Sequence, residues 1–579
     1  MKPKTYFTRP RHVLHKQYEA LRSFFVEGMR AEEVASTFGY TPSAVYSLVR
    51  DFREDISDRP FTDPFFITRK AGRKPMDETG ALHRRITSLR KKYLSVPDIK
   101  AILDAQDDHV SERYIYDVIT KDGFARLPRR TRAVKTHAVS ATTVKAPEAV
   151  TLDFTPETIS STNSLGILCL LPYIQIYGID RLIESSTYPE STVISRLSSI
   201  MSFVALKLSN VKRYTQDDAW CMDRGPGLMA KLSVLPKAAW FSSYSHRVTR
   251  TMNRTFLSGL HNIWCKHGFL GDTANLDFTT IPYWGDASHL ENNWSGTRHT
   301  AMASMLTVLA QEPESGIITY GDSNIRHNNK SDVVLEFLDF YRASGKQDLT
   351  YLVFDSKFTT YENLARLDPE VKFLTIRRRG KKIVERLDAL PSSAWKKVRV
   401  PAADGKGRTL RINDSQIFLR DYGKEVRQIA IRGHGRIKPA LIITNDVERA
   451  VEDIIRTYAR RWLIEKDISE QIEFFHLNRL SSSVVIKVDF DLTISILAHN
   501  ILRLFALDLT GYEHLSAQTL YNKFLANSGM VEISPGHVAV KLNKKRTLPV
   551  VLTAMEQFQG MKIRLWGNRT VTFAGDTRS

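Results

Sequence analysis

The spacing of apolar positions changes along the chain and divides it into helical and strand-rich parts. Between Tyr18 and Phe52, apolar residues recur at the spacing of two short amphipathic helices around a tight turn. A second helical pattern begins at Asp77, and residues 150–270 are also mostly helical in pattern. After Gly271 the apolar residues alternate or cluster as they do in strands. The pattern therefore predicts a multidomain α/β protein.

The strand-rich part begins with three predicted strands and a turn at Gly321, followed by helix, strand, helix and strand. The three strands are residues 274–281, 300–310 and 316–320, and the later elements are residues 331–344, 349–354, 361–367 and 371–376. This order is that of the ribonuclease H fold, a mixed sheet whose first and fourth strands are neighbours. Asp277 lies on the first strand and Asp355 at the carboxyl end of the fourth. We therefore expect their carboxylates to converge, although 78 residues separate them.

A third acid, Glu465, lies on a predicted helix that begins near Asp446. Arg461 stands four residues before Glu465 and Tyr458 seven before it, so the three share one helical face. A Tyr, an Arg and a Glu on one stripe form a phosphate clamp beside a metal ligand. The alternative is an apolar core stripe with an Arg-Glu pair at the surface, and the two Asp contexts favour the clamp.

Residues 18–52 have the spacing of a helix-turn-helix. Ala35 allows close helix approach, Gly39 suits the turn, and Val45 packs the second helix back. The second helix would be the recognition helix, and its candidate DNA-contacting residues are Thr41, Ser43, Tyr46, Ser47 and Arg50. Many helical hairpins share this pattern without binding DNA, but the charge of this chain favours DNA binding.

Basic residues outside this motif are further candidates for contacts with the phosphate backbone. They are Arg73 and Lys74 in a connector, Arg129, Arg130 and Arg132 at the exit of a second helix-turn-helix, and Arg377, Arg378 and Arg379 after the last core strand. A solvated connector or turn is the alternative for each basic run.

These patterns predict nine segments. They are helix-turn-helix domain 1–57, basic connector 58–76, second helix-turn-helix domain 77–135, linker 136–149, helical bracing region 150–270, first core part 271–380, β-rich insertion 381–445, second core part 446–510, and a C-terminal region 511–579 to which the sequence assigns no role.

The charge of the chain narrows the class of partner. The 579 residues include 83 Lys and Arg against 63 Asp and Glu, a net charge of +20. Such a basic chain favours polyanions, because Lys and Arg displace counterions from phosphates. Three cysteines without paired spacing argue against a disulfide framework and favour a reducing cytoplasm. The pattern predicts neither a signal peptide nor a membrane-spanning segment.

The residues around the three acids resemble those of a known family, the DDE transposases of bacterial insertion sequences with a Tyr-x2-Arg-x3-Glu-x6-Lys signature. The resemblance runs from about residue 276 to residue 507 and includes Tyr458, Arg461 and Glu465 at the signature's spacing. The signature's Lys position is occupied by Ile472. The resemblance implies a ribonuclease H-like catalytic core in which Asp277, Asp355 and Glu465 hold two Mg²⁺ ions, with Mn²⁺ as a substitute.

The resemblance implies a transposase that binds the terminal inverted repeats of its element as a homodimer on paired ends. It would cut the DNA as an endonuclease and join the 3′-hydroxyls to target DNA by two-metal phosphoryl transfer. One alternative is a non-enzymatic helix-turn-helix regulator derived from a transposase, and another is a ribonuclease H-like nuclease. Asp286 and Asp322 are the alternative metal ligands.

Overall fold

A computed structural model divides the chain into two compact units, Met1–Thr142 and Thr143–Ser579. The structure describes residues 3–58, 65, 80–91, 94–104, 108–124, 148–161, 163–211, 221–282, 290–295, 300–345, 349–358, 360–401, 407–435, 439–477 and 485–576. The predicted connector residues Arg73 and Lys74 and the exit residues Arg129, Arg130 and Arg132 lie outside them, as does Asp286.

The first unit is helical in its described part. Its helices are α1 (Pro3–Thr8), α2 (Val13–Phe25), α3 (Ala31–Phe38), α4 (Pro42–Asp58), α5 (Ala81–Lys91), α6 (Val96–Asp104) and α7 (Glu112–Lys121). Between α3 and α4, Gly39 adopts a left-handed conformation with φ of 65°, which favours glycine because it has no Cβ. Val45 and Val49 of α4 are buried against Ala35 and Val34 of α3. The helices and the turn predicted between Tyr18 and Phe52 are therefore present.

The second helical group has a small core of its own. Ile86 of α5, Ile99 of α6 and Ile115 of α7 are all fully buried in it. The Ser111 side chain caps α7 by accepting a hydrogen bond from the backbone N–H of Tyr114. The helices expected between residues 77 and 120 are thus present.

The second unit is a mixture of helices and strands. Its α-helices are α8 (Leu171–Ile176), α9 (Ile179–Ser185), α10 (Arg196–Leu208), α11 (Arg224–Met229), α12 (Ala238–Ser245), α13 (Arg250–Lys266), α14 (Val333–Ala343), α15 (Tyr361–Leu367), α16 (Lys381–Asp388), α17 (Val451–Ala459), α18 (Trp462–Glu473), α19 (Val485–Leu507), α20 (Ala517–Leu520) and α21 (Leu548–Met555). Its strands are β1 (Glu157–Ser161), β2 (Thr273–Pro282), β3 (Asn292–Ser295), β4 (Thr300–Gln311), β5 (Ile318–Ile325), β6 (Tyr351–Phe354), β7 (Lys372–Ile376), β8 (Lys396–Pro401), β9 (Gly407–Leu419), β10 (Lys424–Arg432), β11 (Ala440–Thr444), β12 (Gly529–Ser534), β13 (His537–Leu542), β14 (Lys562–Ile563) and β15 (Arg569–Gly575). The protein is therefore a mixed α/β protein, as predicted.

Ten strands form one mixed sheet in the order β3-β4-β2-β6-β7-β11-β10-β9-β8, with β5 paired to β4. Strand β6 runs parallel to both of its neighbours, β2 and β7, whereas β2, β4 and β5 pair antiparallel. The strand at Asp277 and the strand before Asp355 are therefore direct neighbours, as the order of elements predicts. The insertion adds β8 to β11 to the same sheet.

Two boundaries predicted around β5 and β1 are wrong. The strand predicted to end before a turn at Gly321 continues to Ile325, with Gly321 paired to Leu309 inside it. A Cβ at Gly321 would lie 2.5 Å from Cδ1 of Ile496, so this glycine is required by the close approach of α19 to the sheet. The apolar spacing at residues 158–176 predicts a helix throughout, but Glu157–Ser161 is a strand.

The C-terminal region has a structural role that the sequence does not assign. Its four strands, β12 to β15, join β1 in a second sheet of the order β1-β12-β13-β15-β14. Strand β1 comes from the region predicted to be helical. Glu157 of β1 pairs with Ile533 of β12. Buried residues of this sheet, such as Val531 and Val540, belong to the same apolar core as Leu276 of β2 and Phe354 of β6. The C-terminal region therefore completes the fold of the second unit.

One helix of the described residues is long and apolar enough to cross a membrane, but it is a core helix by its burial. The span Lys487–Leu507 in α19 has 89% of its apolar window buried inside the fold. Leu165–Ile176 and Ile179–Ser185 satisfy the same length and composition test only as a pair bent by 73°. Both segments pack in the apolar core of the second unit.

Candidate active site

Strand register brings Asp277 and Asp355 to equivalent places on neighbouring strands. Leu276 of β2 pairs with Phe354 of β6 in parallel register, and each aspartate is the next residue along its strand direction. Neighbouring strands lie about 4.8 Å apart, and the side chain alternation puts residues of equal register on the same face. The two aspartates therefore lie beside each other, as expected from the order of the elements.

Asp277 is mostly buried and is compensated by an arginine. Its side chain is 16% exposed, and its Oδ2 accepts a hydrogen bond of 2.7 Å from Nη1 of Arg461. Its Oδ1 accepts one of 2.8 Å from the backbone N–H of Phe278. Burial raises the pKa of Asp277 above its ordinary value, and the charge of Arg461 opposes this rise. A cation beside this carboxylate therefore favours its charged form.

The same guanidinium group also holds Glu465. Nη2 of Arg461 donates a hydrogen bond of 2.9 Å to Oε1 of Glu465, whose side chain is 53% exposed. The Arg461 side chain itself is only 15% exposed. Arg461 therefore links a buried carboxylate on the sheet to a solvent-facing carboxylate on α18.

The single helix predicted through Tyr458, Arg461 and Glu465 is wrong, because the chain forms two helices, α17 and α18, that break at Arg460 and Arg461. The Nδ2 atom of Asn275 donates a hydrogen bond of 3.1 Å to the carbonyl of Arg460 at this break. Asn275 is fully buried. The only sequence signal for this contact is an amide residue two positions before Asp277. The helical spacing of Tyr458, Arg461 and Glu465 does not take this residue into account.

Tyr458 lies in the same group despite the break. The guanidinium carbon of Arg461 is 5.7 Å from the centre of the Tyr458 ring. Burial raises the pKa of Tyr458 to about 12, and the charge of Asp355 adds to the rise. The hydroxyl of Tyr458 is therefore protonated near neutral pH and remains a hydrogen-bond donor. The Tyr458 hydroxyl lies close enough to Asp355 for the charge of this aspartate to affect its pKa. Tyr458 therefore links Asp355 to Asp277 and Glu465.

The donor set fits a divalent metal ion in its chemistry. Asp277, Asp355 and Glu465 offer only carboxylate oxygens, which are the ligands that Mg²⁺ prefers. Within the part of the chain that the structure describes, no three His, Cys, Asp or Glu side chains are gathered closely enough to hold a metal as they stand. The Arg461 guanidinium lies between Asp277 and Glu465 and compensates their charge.

The alternative ligand Asp322 belongs to another cluster. Its carboxylate is 4% exposed and forms an ion pair with Nη2 of Arg250 on α13. The buried Asp489 on α19 lies close enough for its charge and that of Asp322 to affect each other. Asp322 is therefore compensated by a different arginine, away from Arg461.

The predicted DNA-contacting residues of the first unit share the exposed side of the turn and α4. Thr41, Ser43, Tyr46, Ser47 and Arg50 are all exposed, whereas Val45 and Val49 are buried. Nη2 of Arg50 is 3.0 Å from Oδ1 of Asp51, a pair exposed to solvent. The hydrophobic pattern therefore separates the buried from the exposed face of α4 correctly.

The three arginines after β7 have partners in the second unit. Nη1 of Arg377 donates a hydrogen bond of 2.7 Å to Oε1 of Gln428, and Nη1 of Arg379 donates one to the carbonyl of Pro439. Nη2 of Arg378 lies 3.5 Å from the carbonyl of Ser356, the residue after Asp355. Arg378 is exposed and is the one of the three that lies beside the candidate active site.

Comparison with known proteins identifies a domain in this part of the chain. Residues 276–501 match the family model of the transposase DDE domain. The matched segment contains Asp277, Asp355 and Glu465. No curated protein matches the chain. Among solved structures, the chain is similar to a piggyBac transposase in a synaptic complex with hairpin DNA, with 10% identity, a TM-score of 0.36, and coverage of 62% of this chain and 79% of that one.

Proposed function

We propose, from the premise that residues 276–501 are a transposase DDE domain, that the protein is a transposase that cuts the ends of its own element and joins them to target DNA. The proposed catalytic and metal-binding residues are Asp277, Asp355 and Glu465. The proposed core is ribonuclease H-like, and the neighbouring parallel strands β2 and β6 support this fold.

One observation carries the proposal. Asp277 and Glu465, which lie far apart in the chain, both contact Arg461. The third acid, Asp355, follows strand β6, which pairs in parallel register with the strand that carries Asp277. Burial raises the pKa of Asp277, so an isolated carboxylate in this position would be unfavourable unless cations compensate it. A set of carboxylates that is partly open to solvent suits a reaction on a polyanion with bound metal ions.

The reaction needs no covalent protein intermediate. In the first step a water oxygen attacks phosphorus at the element end, the bond from phosphorus to the 3′-oxygen breaks, and a 3′-hydroxyl is released. In the second step that 3′-hydroxyl attacks a phosphorus of the target strand, and the displaced oxygen leaves as a new 3′-hydroxyl. The first step hydrolyses one phosphodiester to a 5′-phosphate and a 3′-hydroxyl, and the second exchanges one phosphodiester for another, so neither an oxidant nor an external energy source is required.

The residues of the site have separate tasks in these steps. Asp277, Asp355 and Glu465 would hold two Mg²⁺ ions, with Mn²⁺ as a substitute, and these would activate the attacking oxygen and stabilise the leaving one. Arg461 orients Asp277 and Glu465 and offers its guanidinium to a phosphate. The protonated hydroxyl of Tyr458 can donate a hydrogen bond to the same phosphate.

The first unit is the proposed recognition module for the terminal inverted repeats. Its exposed residues Thr41, Tyr46 and Arg50 on and beside α4 suit a recognition helix in a major groove. We extend the proposal to a homodimer on paired ends of a bacterial insertion sequence, acting on DNA in the cytoplasm. The matching domain family and the net charge of +20 support the partner, double-stranded DNA.

The test uses duplexes that carry the repeat ends flanking the protein's own gene. The full chain is incubated with these duplexes and Mg²⁺ or Mn²⁺, beside the Asp277→Ala protein. We expect metal-dependent cleavage and strand joining by the natural chain and neither by the variant, with end binding retained by both. Tight binding without cutting by either protein would contradict the proposal and favour a regulator, and cutting without joining would favour a nuclease.

A further inference from the structure

Two buried amide side chains lie side by side on the sheet beneath α18. Asn275 of β2 pairs directly with Gln311 of β4, and both side chains are buried. Residues directly opposite in antiparallel strands point to the same face, with Cβ atoms about 5 Å apart. Alternation along β2 puts Asp277, two residues further on, on this face as well. The two amides and the first candidate catalytic acid therefore face the same side of the sheet.

The two amides contact the chain on either side of Glu465. Nδ2 of Asn275 donates its hydrogen bond to the carbonyl of Arg460, at the break between α17 and α18. Nε2 of Gln311 donates a hydrogen bond to Oδ2 of Asp467 on α18. Arg460 stands five residues before Glu465 in the chain, and Asp467 stands two residues after it. We call Asn275 and Gln311 the amide pair.

The buried face of α18 contains polar residues at positions that suit apolar ones. Its buried residues recur every three or four positions and include Ile464, Asp467, Ile468 and Gln471. A buried carboxylate and a buried amide cost free energy relative to apolar side chains. The Oδ1 atom of Asn275 has no hydrogen-bond partner among the described residues, which adds to this cost. The stability of the packing therefore does not explain why these polar residues are present.

Hydrogen bonds can fix the position of α18 on the sheet more narrowly than its apolar contacts can. Burial of Ile464 and Ile468 is favourable but non-directional, so it tolerates small shifts of the helix. A shift by one residue would move Glu465 by about 1.5 Å along the helix axis and turn it by about 100°. Hydrogen bonds depend on both distance and angle, so the two contacts of the amide pair are satisfied together in one position of the helix.

We propose that Asn275 and Gln311 are positioning residues that hold Glu465 of α18 at the correct place opposite Asp277, which rests on the proposed transposase function. The amide pair acts through the helix, so it needs no contact with DNA or with a metal ion. Misplacement of a reacting group by about 1 Å can slow a reaction about 100-fold. The free energy that these buried polar groups cost is therefore offset by the placement of a metal-binding side chain.

The first test removes the contact of Asn275 in the full chain. Asn275→Leu keeps the approximate size of the side chain, and the carbonyl of Arg460 retains a hydrogen bond from the backbone N–H of Leu463. We expect single-turnover cleavage of end duplexes to slow about tenfold or more, and the Mg²⁺ concentration that gives half the maximal rate to rise about threefold or more. Binding of Mn²⁺ to the complex with an end duplex, measured by electron paramagnetic resonance, should weaken in parallel. The affinity for the end duplex should not change, because Asn275 is fully buried.

The second test replaces the contact between Gln311 and Asp467 by apolar contacts. In the double variant Gln311→Met, Asp467→Ala, Met keeps the length of the strand side chain and Ala favours the helix. Replacement of a buried polar pair by apolar residues is often neutral or stabilising, so the free energy of unfolding in urea should stay the same or rise. We expect cleavage to slow about tenfold nevertheless, with weaker Mn²⁺ binding. A purely structural role would not produce a loss of cleavage without a loss of stability.

The matched control changes a buried amide that anchors another helix to the same sheet. Asn500 of α19 accepts a hydrogen bond of 2.9 Å from the backbone N–H of Ile318 on β5 and donates one of 2.8 Å to its carbonyl. Asn500→Leu should lower the free energy of unfolding, because Ile318 loses both hydrogen bonds. It should keep the Mg²⁺ dependence and the Mn²⁺ binding of the natural chain. An equal shift in Asn500→Leu and Asn275→Leu would mean that any weakened contact between helix and sheet has this effect, and it would overturn the proposal.

The remaining outcomes separate this inference from the proposed function. Unchanged cleavage, Mg²⁺ dependence and Mn²⁺ binding in the folded Asn275→Leu and double variants would overturn the inference, even if the natural chain cuts element ends. Cleavage that falls only in proportion to the unfolded fraction would assign the amide pair to stability alone and would overturn it too. Absence of end cutting by the natural chain, with Mn²⁺ binding weakened in Asn275→Leu and not in Asn500→Leu, would instead contradict the proposed function and leave the positioning role in place.

Discussion

Two acidic clusters lie against the same ten-stranded sheet and differ in what surrounds them. The candidate catalytic cluster is Asp277, Asp355 and Glu465, whereas the internal acid cluster is Asp322 and Asp489. Each contains an aspartate whose pKa is raised by burial, and each has one arginine partner. A buried aspartate beside an arginine is therefore not by itself the mark of an active site.

The two clusters differ in their openness and in their hydrogen-bond partners. Glu465 leaves one side of the candidate catalytic cluster open, with 53% of its side chain exposed. In the internal acid cluster, Oδ2 of Asp489 accepts a hydrogen bond of 2.7 Å from Asn253, which in turn accepts one of 3.0 Å from Tyr188. The internal acids are satisfied by the protein, whereas Asp277 and Glu465 share one guanidinium and Glu465 faces solvent. The comparison indicates that the candidate catalytic cluster is the one suited to catalysis and that the internal acid cluster stabilises the fold.

The largest expected difference between the clusters is in DNA cleavage. Asp277→Asn and Glu465→Gln should each slow end cleavage by at least about 1,000-fold, because each removes a carboxylate proposed to hold metal. The Asp322→Asn protein should cleave within about tenfold of the natural rate at a temperature where it is folded. Single-turnover cleavage of end duplexes measures all three. A strong loss of cleavage by an Asp322→Asn protein of normal stability would show that the metal ligand lies in the internal acid cluster, and it would contradict the assignment to Asp277 and Glu465.

The two arginines should differ next. Arg461→Gln should slow cleavage by about 10–100-fold, as expected for a residue that orients metal-binding side chains. Arg250→Gln should leave the cleavage rate of folded protein nearly unchanged, since Arg250 contacts Asp322. The readout is the cleavage rate together with its dependence on Mg²⁺ concentration, which should shift only in Arg461→Gln. Equal effects of the two substitutions on this dependence would remove the distinction.

The internal acid cluster should respond in stability instead. Asn253→Ala removes hydrogen bonds to both Asp489 and Tyr188 and should lower the free energy of unfolding by about 1–3 kcal/mol. Urea unfolding followed by tryptophan fluorescence measures the change, with the exposed Asn328→Ala as the control. The cleavage rate per folded molecule should not change. Unaltered stability in Asn253→Ala would mean that this network does not hold the fold.

The smallest expected effect is on the pH dependence of stability. Burial raises the pKa of Asp489, the charge of Asp322 adds to the rise, and Asn253 and Arg250 oppose it. Its contribution to stability is fully present below the unfolded pKa of about 3.9 and is lost as pH rises through the folded pKa. Asp489→Asn resembles the protonated form and should lose less stability than the natural chain as the pH rises from about 3.9. A steeper loss in Asp489→Asn, measured by thermal unfolding over this rise in pH, would reverse the sign.

The sequence predicts the core strands well because their apolar runs and turn residues are local signals. The neighbouring positions of β2 and β6 follow from the order of elements, so the proximity of Asp277 and Asp355 was predictable. The extension of β5 through Gly321 was not, since that glycine is required by contact with Ile496, which lies 175 residues away. The strand β1 was also missed, because its partner β12 lies near the other end of the chain.

The contacts around Arg461 could be predicted only in part. The spacing of four residues correctly places Arg461 against Glu465, but the helix is broken just before Trp462. The contact of Arg461 with Asp277 depends on how α18 packs on the sheet, which helical periodicity does not contain. Arg250, the arginine partner of Asp322, lies on α13. The sequence shows its charge but not its contact with Asp322.

The most direct test concerns Asp355, since its membership in the site depends on strand register rather than on a direct contact with Arg461. Asp355→Cys replaces a hard oxygen ligand by a softer thiolate, which binds Mg²⁺ poorly and Mn²⁺ better. The measurement is single-turnover cleavage of end duplexes by this protein in Mg²⁺ and in Mn²⁺. We predict that cleavage is lost in Mg²⁺ and partly restored in Mn²⁺. Cleavage in Mg²⁺ within about tenfold of the natural rate would contradict the assignment of Asp355 as a metal ligand.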